Sequence, residues 1–132
     1  MIRVGILGAT GYTALELIKL LLRHPGAQIT VLTSRQQGQP LVATVHPSLT
    51  GRLDLSLEDL SPQEVAARCE CVFSCLPHAA SADAIKPLVA AGRRVVDFSA
   101  DYRLHDPNVY AQWYEHEHVD PEQLGDILSK YA

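Results

Sequence analysis

The feature that most constrains this chain is a glycine turn near its start, Gly5-x-x-Gly8-Ala9-Thr10-Gly11. It lies between segments of different periodicity. Before it, Ile2-Arg3-Val4-Gly5-Ile6-Leu7 reads as a short, mostly apolar strand. After it, residues 13–23 place Leu17, Ile18, Leu21 and Leu22 at helical spacing, and His24-Pro25-Gly26 stops the helix. Residues 28–33 are rich in β-branched side chains and read as a second strand. Strand, turn, helix and strand within about thirty residues make one βαβ unit with a right-handed crossover. Glycine permits positive φ and close approach, while unpaired N–H groups and the positive end of the helix dipole face an anion. In this context the anion is a dinucleotide's pyrophosphate; the alternative is a purely structural turn.

The remaining chain continues the alternation. Residues 53–57 read as a short edge strand, after a stretch broken by Gly38, Pro40, Pro47 and Gly51. Ser61-Pro62-Gln63-Glu64 has the form of an N-cap, a proline at the first helical position and a capping-box acid, for a helix ending near Arg68. Residues 70–76 read as a buried strand closed by Pro77. Residues 79–91 read as a helix that Pro87 kinks or splits and Gly92 ends, and residues 94–98 as a further strand. Short helices are expected after Asp106-Pro107 and after Asp120-Pro121. The fold class is therefore α/β, a Rossmann-like, doubly wound, mostly parallel sheet.

Which dinucleotide the turn takes is read from the end of the second strand. An NAD site usually has an acid there for the ribose 2′-hydroxyl. Here Glu16 is the only acid in residues 1–53, and the strand ends in Thr33-Ser34-Arg35. A hydroxyl followed by a guanidinium suits a 2′-phosphate, which favours NADP. Charge agrees: residues 1–52 carry a net +4 and the remainder a net −8. That is too mild for a nucleic-acid surface but suits a small anionic ligand bound by the first half. No apolar stretch approaches a membrane span. Three cysteines, an odd number, argue against a disulfide framework and for a reducing, cytoplasmic setting.

Cys69, Cys71 and Cys75 share parity, so one strand covering all three would put them on one face as buried core thiols, with no metal site. Cys75, nearest a strand end and close to His78, is the only candidate nucleophile. Leu76-Pro77-His78 leaves the carboxyl end of a parallel strand, where open α/β sheets bind ligands. His78 is a candidate partner for cofactor or substrate, or else an ordinary loop histidine. The next strand delivers Ser99, Asp101 and Arg103 in the same way; Arg103 can hold a phosphate or carboxylate, or pair structurally with Asp101. The run Trp113 to His118 reads as a helical face rather than a metal site.

Taken together, Val4 to Thr13, Thr33-Ser34-Arg35, Leu76-Pro77-His78 and Val96 to Leu104 resemble the N-acetyl-gamma-glutamyl-phosphate reductase family. Aspartate-semialdehyde dehydrogenases share the architecture. The resemblance implies an NADP-dependent enzyme of arginine biosynthesis that reduces an acyl phosphate to an aldehyde. It implies cofactor contacts at Gly8, Ala9, Thr10, Gly11, Tyr12, Thr13, Ser34, Arg35, Leu76, Pro77 and His78, and substrate contacts at Ser99 and Arg103. Ala14 stands where the family often has glycine. In the family, a cysteine thiolate displaces phosphate to give a thioester, which hydride then reduces. That cysteine lies in a Gly-Asn-Pro-Gly-Cys-Tyr stretch beyond the nucleotide half, and the family also has a substrate domain of roughly another hundred and fifty residues or more. Neither is found in these 132 residues. The expectation is thus a truncated family member: an NADP-binding domain over residues 1–118, a tail over 119–132 and no catalytic residue. A small acyl-phosphate substrate and a homo-oligomer are expected for the full-length enzyme. The alternatives are a non-catalytic NADP-binding module and a member of the related aspartate-semialdehyde dehydrogenase family.

Overall fold

The computed structural model describes residues 1–35, 37–77 and 80–98. Strands and helices alternate: β1 (Ile2–Leu7), α1 (Tyr12–Leu22), β2 (Ala27–Thr33), α2 (Val42–Val45), a 3-10 turn (Pro47–Leu49), β3 (Leu57–Glu58), α3 (Pro62–Arg68), β4 (Cys71–Ser74), α4 (Ala80–Ala90) and β5 (Arg94–Asp97). The strands form one sheet in the order β3-β2-β1-β4-β5, and every pairing is parallel. From β1 the chain winds outward through β2 to β3, then crosses back to place β4 on the other side of β1. The direction of winding therefore reverses between β1 and β4, and a crevice opens at their carboxyl ends.

Both faces of the sheet are covered, because successive strand residues point to opposite sides. On one face Leu7, Val31, Val72 and Val95 pack with Val65 and Ala66 of α3 and Ala82, Ile85 and Leu88 of α4. On the other, Ile6, Ile29, Leu32 and Leu57 pack with Ala14, Leu17 and Ile18 of α1 and with Val42 and Leu49. Each fully buried Leu, Ile or Val contributes about 1.5–3 kcal/mol by leaving water. Among the described residues no helix is long and apolar enough to cross a membrane.

Several expectations are corrected. The edge strand expected at 53–57 is Leu57–Glu58 instead. Leu53 and Leu55 are drawn into the core, and an antiparallel bridge from Leu41 to Ser56 folds residues 41–56 over that edge. Pro87 does not split α4, which runs unbroken from Ala80 to Ala90. Ile85 and Leu88 bury on either side of the proline, and the Ala91 N–H donates to the Pro87 carbonyl at 3.0 Å, so the ladder resumes at once. The cysteines do not share a face. The strand covers only Cys71; Cys69 joins the α3–α4 side of the core, and Cys75 packs toward the α1 side. Only Cys69 is fully buried. The helices expected after Asp106-Pro107 and Asp120-Pro121 lie outside the described residues.

Candidate functional site

A cavity of about 610 Å³ opens at the carboxyl ends of the strands. Its walls come from the β1–α1 turn (Gly8, Thr10, Gly11), the end of β2 (Thr33, Ser34, Arg35), the end of β3 (Asp59, Leu60), the end of β4 (Cys75, Leu76, Pro77) and α4 (Ala80, Asp83).

The two glycines of the turn do different work. Gly8 has φ +71°, and a Cβ there would lie 3.0 Å from the Cys75 carbonyl oxygen. Both the left-handed backbone and the neighbouring strand exclude a side chain. Gly11 has φ −83°, and a Cβ there would meet nothing within 4 Å. Its bare backbone leaves clear space where α1 begins. No side chain caps that helix start, and no acid occupies its first turn. The N–H groups and the positive end of the helix dipole are thus left to an anion.

The turn is anchored from beneath. The Gly8 N–H donates to Thr33 Oγ1 at 3.3 Å, and the Ala9 N–H donates to the Thr33 carbonyl at 2.9 Å. Ala9 is fully buried, so it shapes the turn from inside and does not line the cavity. Tyr12 and Thr13 open α1 with exposed side chains outside the cavity wall. Ser34, Arg35, Leu76 and Pro77 do line it, together with Gly8, Thr10 and Gly11. His78, Ser99, Asp101 and Arg103 lie outside the described residues.

Three further features were not read from the sequence. Asp59, just past the end of β3, lines the same cavity as Arg35. It was missed because β3 was expected to end before it. Ser74 and Ser81, both fully buried, form a chain with Asp97: Ser81 Oγ donates to Asp97 Oδ1 at 2.8 Å and, its proton so committed, accepts from Ser74 Oγ at 2.6 Å. This chain ties the ends of β4 and β5 to the first turn of α4. The third feature is His46, buried with its Nε2 at 2.8 Å from the Ala9 carbonyl oxygen.

Cys75 faces the cavity half-buried, and its thiol is pushed up to about 11 by burial and, secondarily, by the nearby charge of Asp97. It is protonated at neutral pH and is a poor nucleophile there. Among the described residues no group of three or more His, Cys, Asp or Glu is placed to hold a metal ion.

A glycine turn at an uncapped helix start, set at the reversal point of a parallel sheet, is the geometry of a dinucleotide-binding domain. Residues 3–125 match the family described as semialdehyde dehydrogenase, NAD binding domain. The chain belongs to that family. As a semialdehyde dehydrogenase NAD-binding domain, it is 48% identical over 128 residues to N-acetyl-gamma-glutamyl-phosphate reductase of Rhodopirellula baltica, covering 96% of this chain and 37% of that protein. It is 47% identical to the reductase of the same name from Acinetobacter baylyi, covering 97% of this chain and 36% of that protein. This chain therefore spans little more than a third of the length of such relatives. Among solved structures, aspartate semialdehyde dehydrogenase with NADP from Candida albicans superposes with a TM-score of 0.70 and 27% identity, over 81% of this chain and 32% of that one.

Proposed function

We propose that this chain is the cofactor-binding part of an NADP-dependent reductase that converts N-acetyl-gamma-glutamyl phosphate to the semialdehyde in arginine biosynthesis. The observation that carries the reading is the conjunction of the family match over residues 3–125 with the open space at Gly11, at the uncapped start of α1. Residues 1–118 form the cofactor domain in this reading, in a cytoplasmic, self-associating enzyme.

The residues present suit such a cofactor. Thr10 and Gly11, on the cavity wall, offer backbone to a pyrophosphate beside the helix start, while Tyr12 and Thr13 contribute first-turn N–H groups. Ser34 and Arg35 take the 2′-phosphate, the guanidinium by paired hydrogen bonds. Leu76 and Pro77 supply an apolar wall at the other end, with His78 beyond them. Ser99 and Arg103 take the acyl-phosphate substrate. When bound, NADPH supplies the hydride. The chain's own part is to hold and orient the cofactor, since Cys75 is protonated at neutral pH and is not the attacking thiolate.

The test is a pair of titrations with NADPH and NADH. The reading expects NADPH to bind more tightly and expects Arg35→Ala to remove most of the difference. Equal affinity of the two cofactors for the unmutated protein defeats the NADP assignment; no binding of either defeats the dinucleotide reading.

A further inference from the structure

His46 occupies the junction between α2 and the 3-10 turn. Its backbone is tied on both sides: its N–H donates to the Val42 carbonyl at 2.8 Å, and its carbonyl accepts from the Leu49 N–H at 2.9 Å. The residue is only 6% exposed, set among the apolar groups that cover the α1 face of the sheet. A buried imidazole is costly unless it is hydrogen-bonded, and its Nε2 finds the Ala9 carbonyl at 2.8 Å. A carbonyl only accepts, so Nε2 carries the proton.

Ala9 is therefore gripped on both sides of its backbone. Thr33 accepts from its N–H at 2.9 Å, and His46 donates to its carbonyl. The second grip has a directional consequence. No described peptide bond is cis, and in a planar trans peptide the carbonyl of one residue and the N–H of the next point opposite ways. Drawing the Ala9 carbonyl toward buried His46 turns the Thr10 N–H the other way. Thr10 is exposed and lines the cavity beside Gly11.

We propose that His46 is a positioning residue for cofactor binding: it fixes the Ala9–Thr10 peptide so that the Thr10 N–H is presented to the diphosphate. This rests on the dinucleotide reading above. It also gives a purpose to residues 41–53, which line none of the cavity but carry an imidazole that, among the described residues, reaches the turn.

The test uses the full chain and three variants. NADPH binding is measured by fluorescence titration, and adenosine 2′-monophosphate, which lacks the diphosphate, by competition. His46→Leu keeps an apolar side chain in place and removes the donor. It is expected to weaken NADPH binding roughly ten-fold while changing adenosine 2′-monophosphate binding less than about two-fold. His46→Gln carries an amide N–H near the position of Nε2 and is expected to restore NADPH affinity. His46→Asn is too short to reach and is expected to behave like His46→Leu. Unchanged NADPH affinity in His46→Leu overturns the proposal, and so does an equal loss for both ligands, which marks general damage. If His46→Leu fails to fold, the Gln and Asn variants decide: equal NADPH affinity in those two overturns it. An unmutated chain that binds no dinucleotide overturns the underlying reading, and that outcome is seen before any substitution is made.

Discussion

Arg35 and the two turn glycines each make a separable demand on the site. In the NADP reading, loss of the Arg35 guanidinium removes a charge-assisted contact, which is expected to cost about 1.5–3 kcal/mol of NADPH affinity, roughly ten- to a hundred-fold, with little change for NADH. Asp59 lines the same cavity, and a carboxylate there would oppose the phosphate that the NADP reading places beside Arg35. Asp59→Asn is therefore expected to shift preference further toward NADPH, in the same paired titration. At Gly8, an alanine meets both a left-handed backbone and the Cys75 carbonyl, and is expected to lower unfolding stability by about 1–3 kcal/mol. At Gly11 the backbone is ordinary and the space is open, so Gly11→Ala should leave the urea midpoint unchanged or slightly raised and weaken NADPH binding. Equal stability loss in the two variants would contradict this division. The glycine pattern itself is visible in the sequence because it is local. The division is not, because the clash at Gly8 comes from Cys75, a residue brought in by strand pairing. The Ala9 carbonyl is hidden for the same reason: nothing near it in sequence says that His46 will reach it.

Among elements, α3 was the easiest to read, and its stability rests on the same residues. The Glu64 N–H donates to Ser61 Oγ at 3.2 Å, and the Ser61 N–H donates to Glu64 Oε2 at 3.0 Å, the reciprocal capping expected from Ser61-Pro62-Gln63-Glu64. Ser61→Ala is expected to cost about 1 kcal/mol, read as a lower urea midpoint with an unchanged slope. Ser61→Asp should recover most of it; no change in either variant would mean that packing of Val65 and Ala66 holds the helix without its cap. The stretch from 36 to 56 was the least legible. Val42–Val45 contains two valines and a threonine, which favour strands by propensity, yet it is helical. Its form is imposed from outside: Val42 is fully buried and its N–H donates to the Leu55 carbonyl at 2.8 Å. Periodicity cannot reveal an element that exists because of a partner across the fold. Cysteine parity failed similarly, because it assumed a strand longer than the four residues of β4.

For the whole molecule, the alternation of strands and helices is enough to give a doubly wound parallel sheet, while the order β3-β2-β1-β4-β5 depends on pairings between segments far apart in sequence. One property of the assembled core reaches beyond any single element. All three thiols are held above their ordinary value near 9.0, in each case chiefly by burial, and Cys75 reaches about 11. The charge of Asp97 adds to the rise at Cys75, while Arg94 partly offsets it at Cys71. A raised thiol keeps its proton in the folded state after the unfolded chain has lost it. Between about pH 9 and pH 11 the folded state therefore binds more protons, and linkage requires stability to fall as pH rises through that window. Below pH 9 the contribution is fully present, so the neutral range is unaffected. The measurement is the urea midpoint at pH 8, 9 and 10 for the unmutated chain and for Cys75→Ala. Other groups titrate in alkali too, so the difference between the two proteins is the readout. The unmutated chain is expected to lose stability more steeply above pH 9 than Cys75→Ala does, and iodoacetamide should label Cys75 slowly at pH 7.5 and faster as the pH climbs. Parallel pH profiles, or rapid labelling of Cys75 at neutral pH, would show that the thiol is not held protonated and would reopen it as a nucleophile.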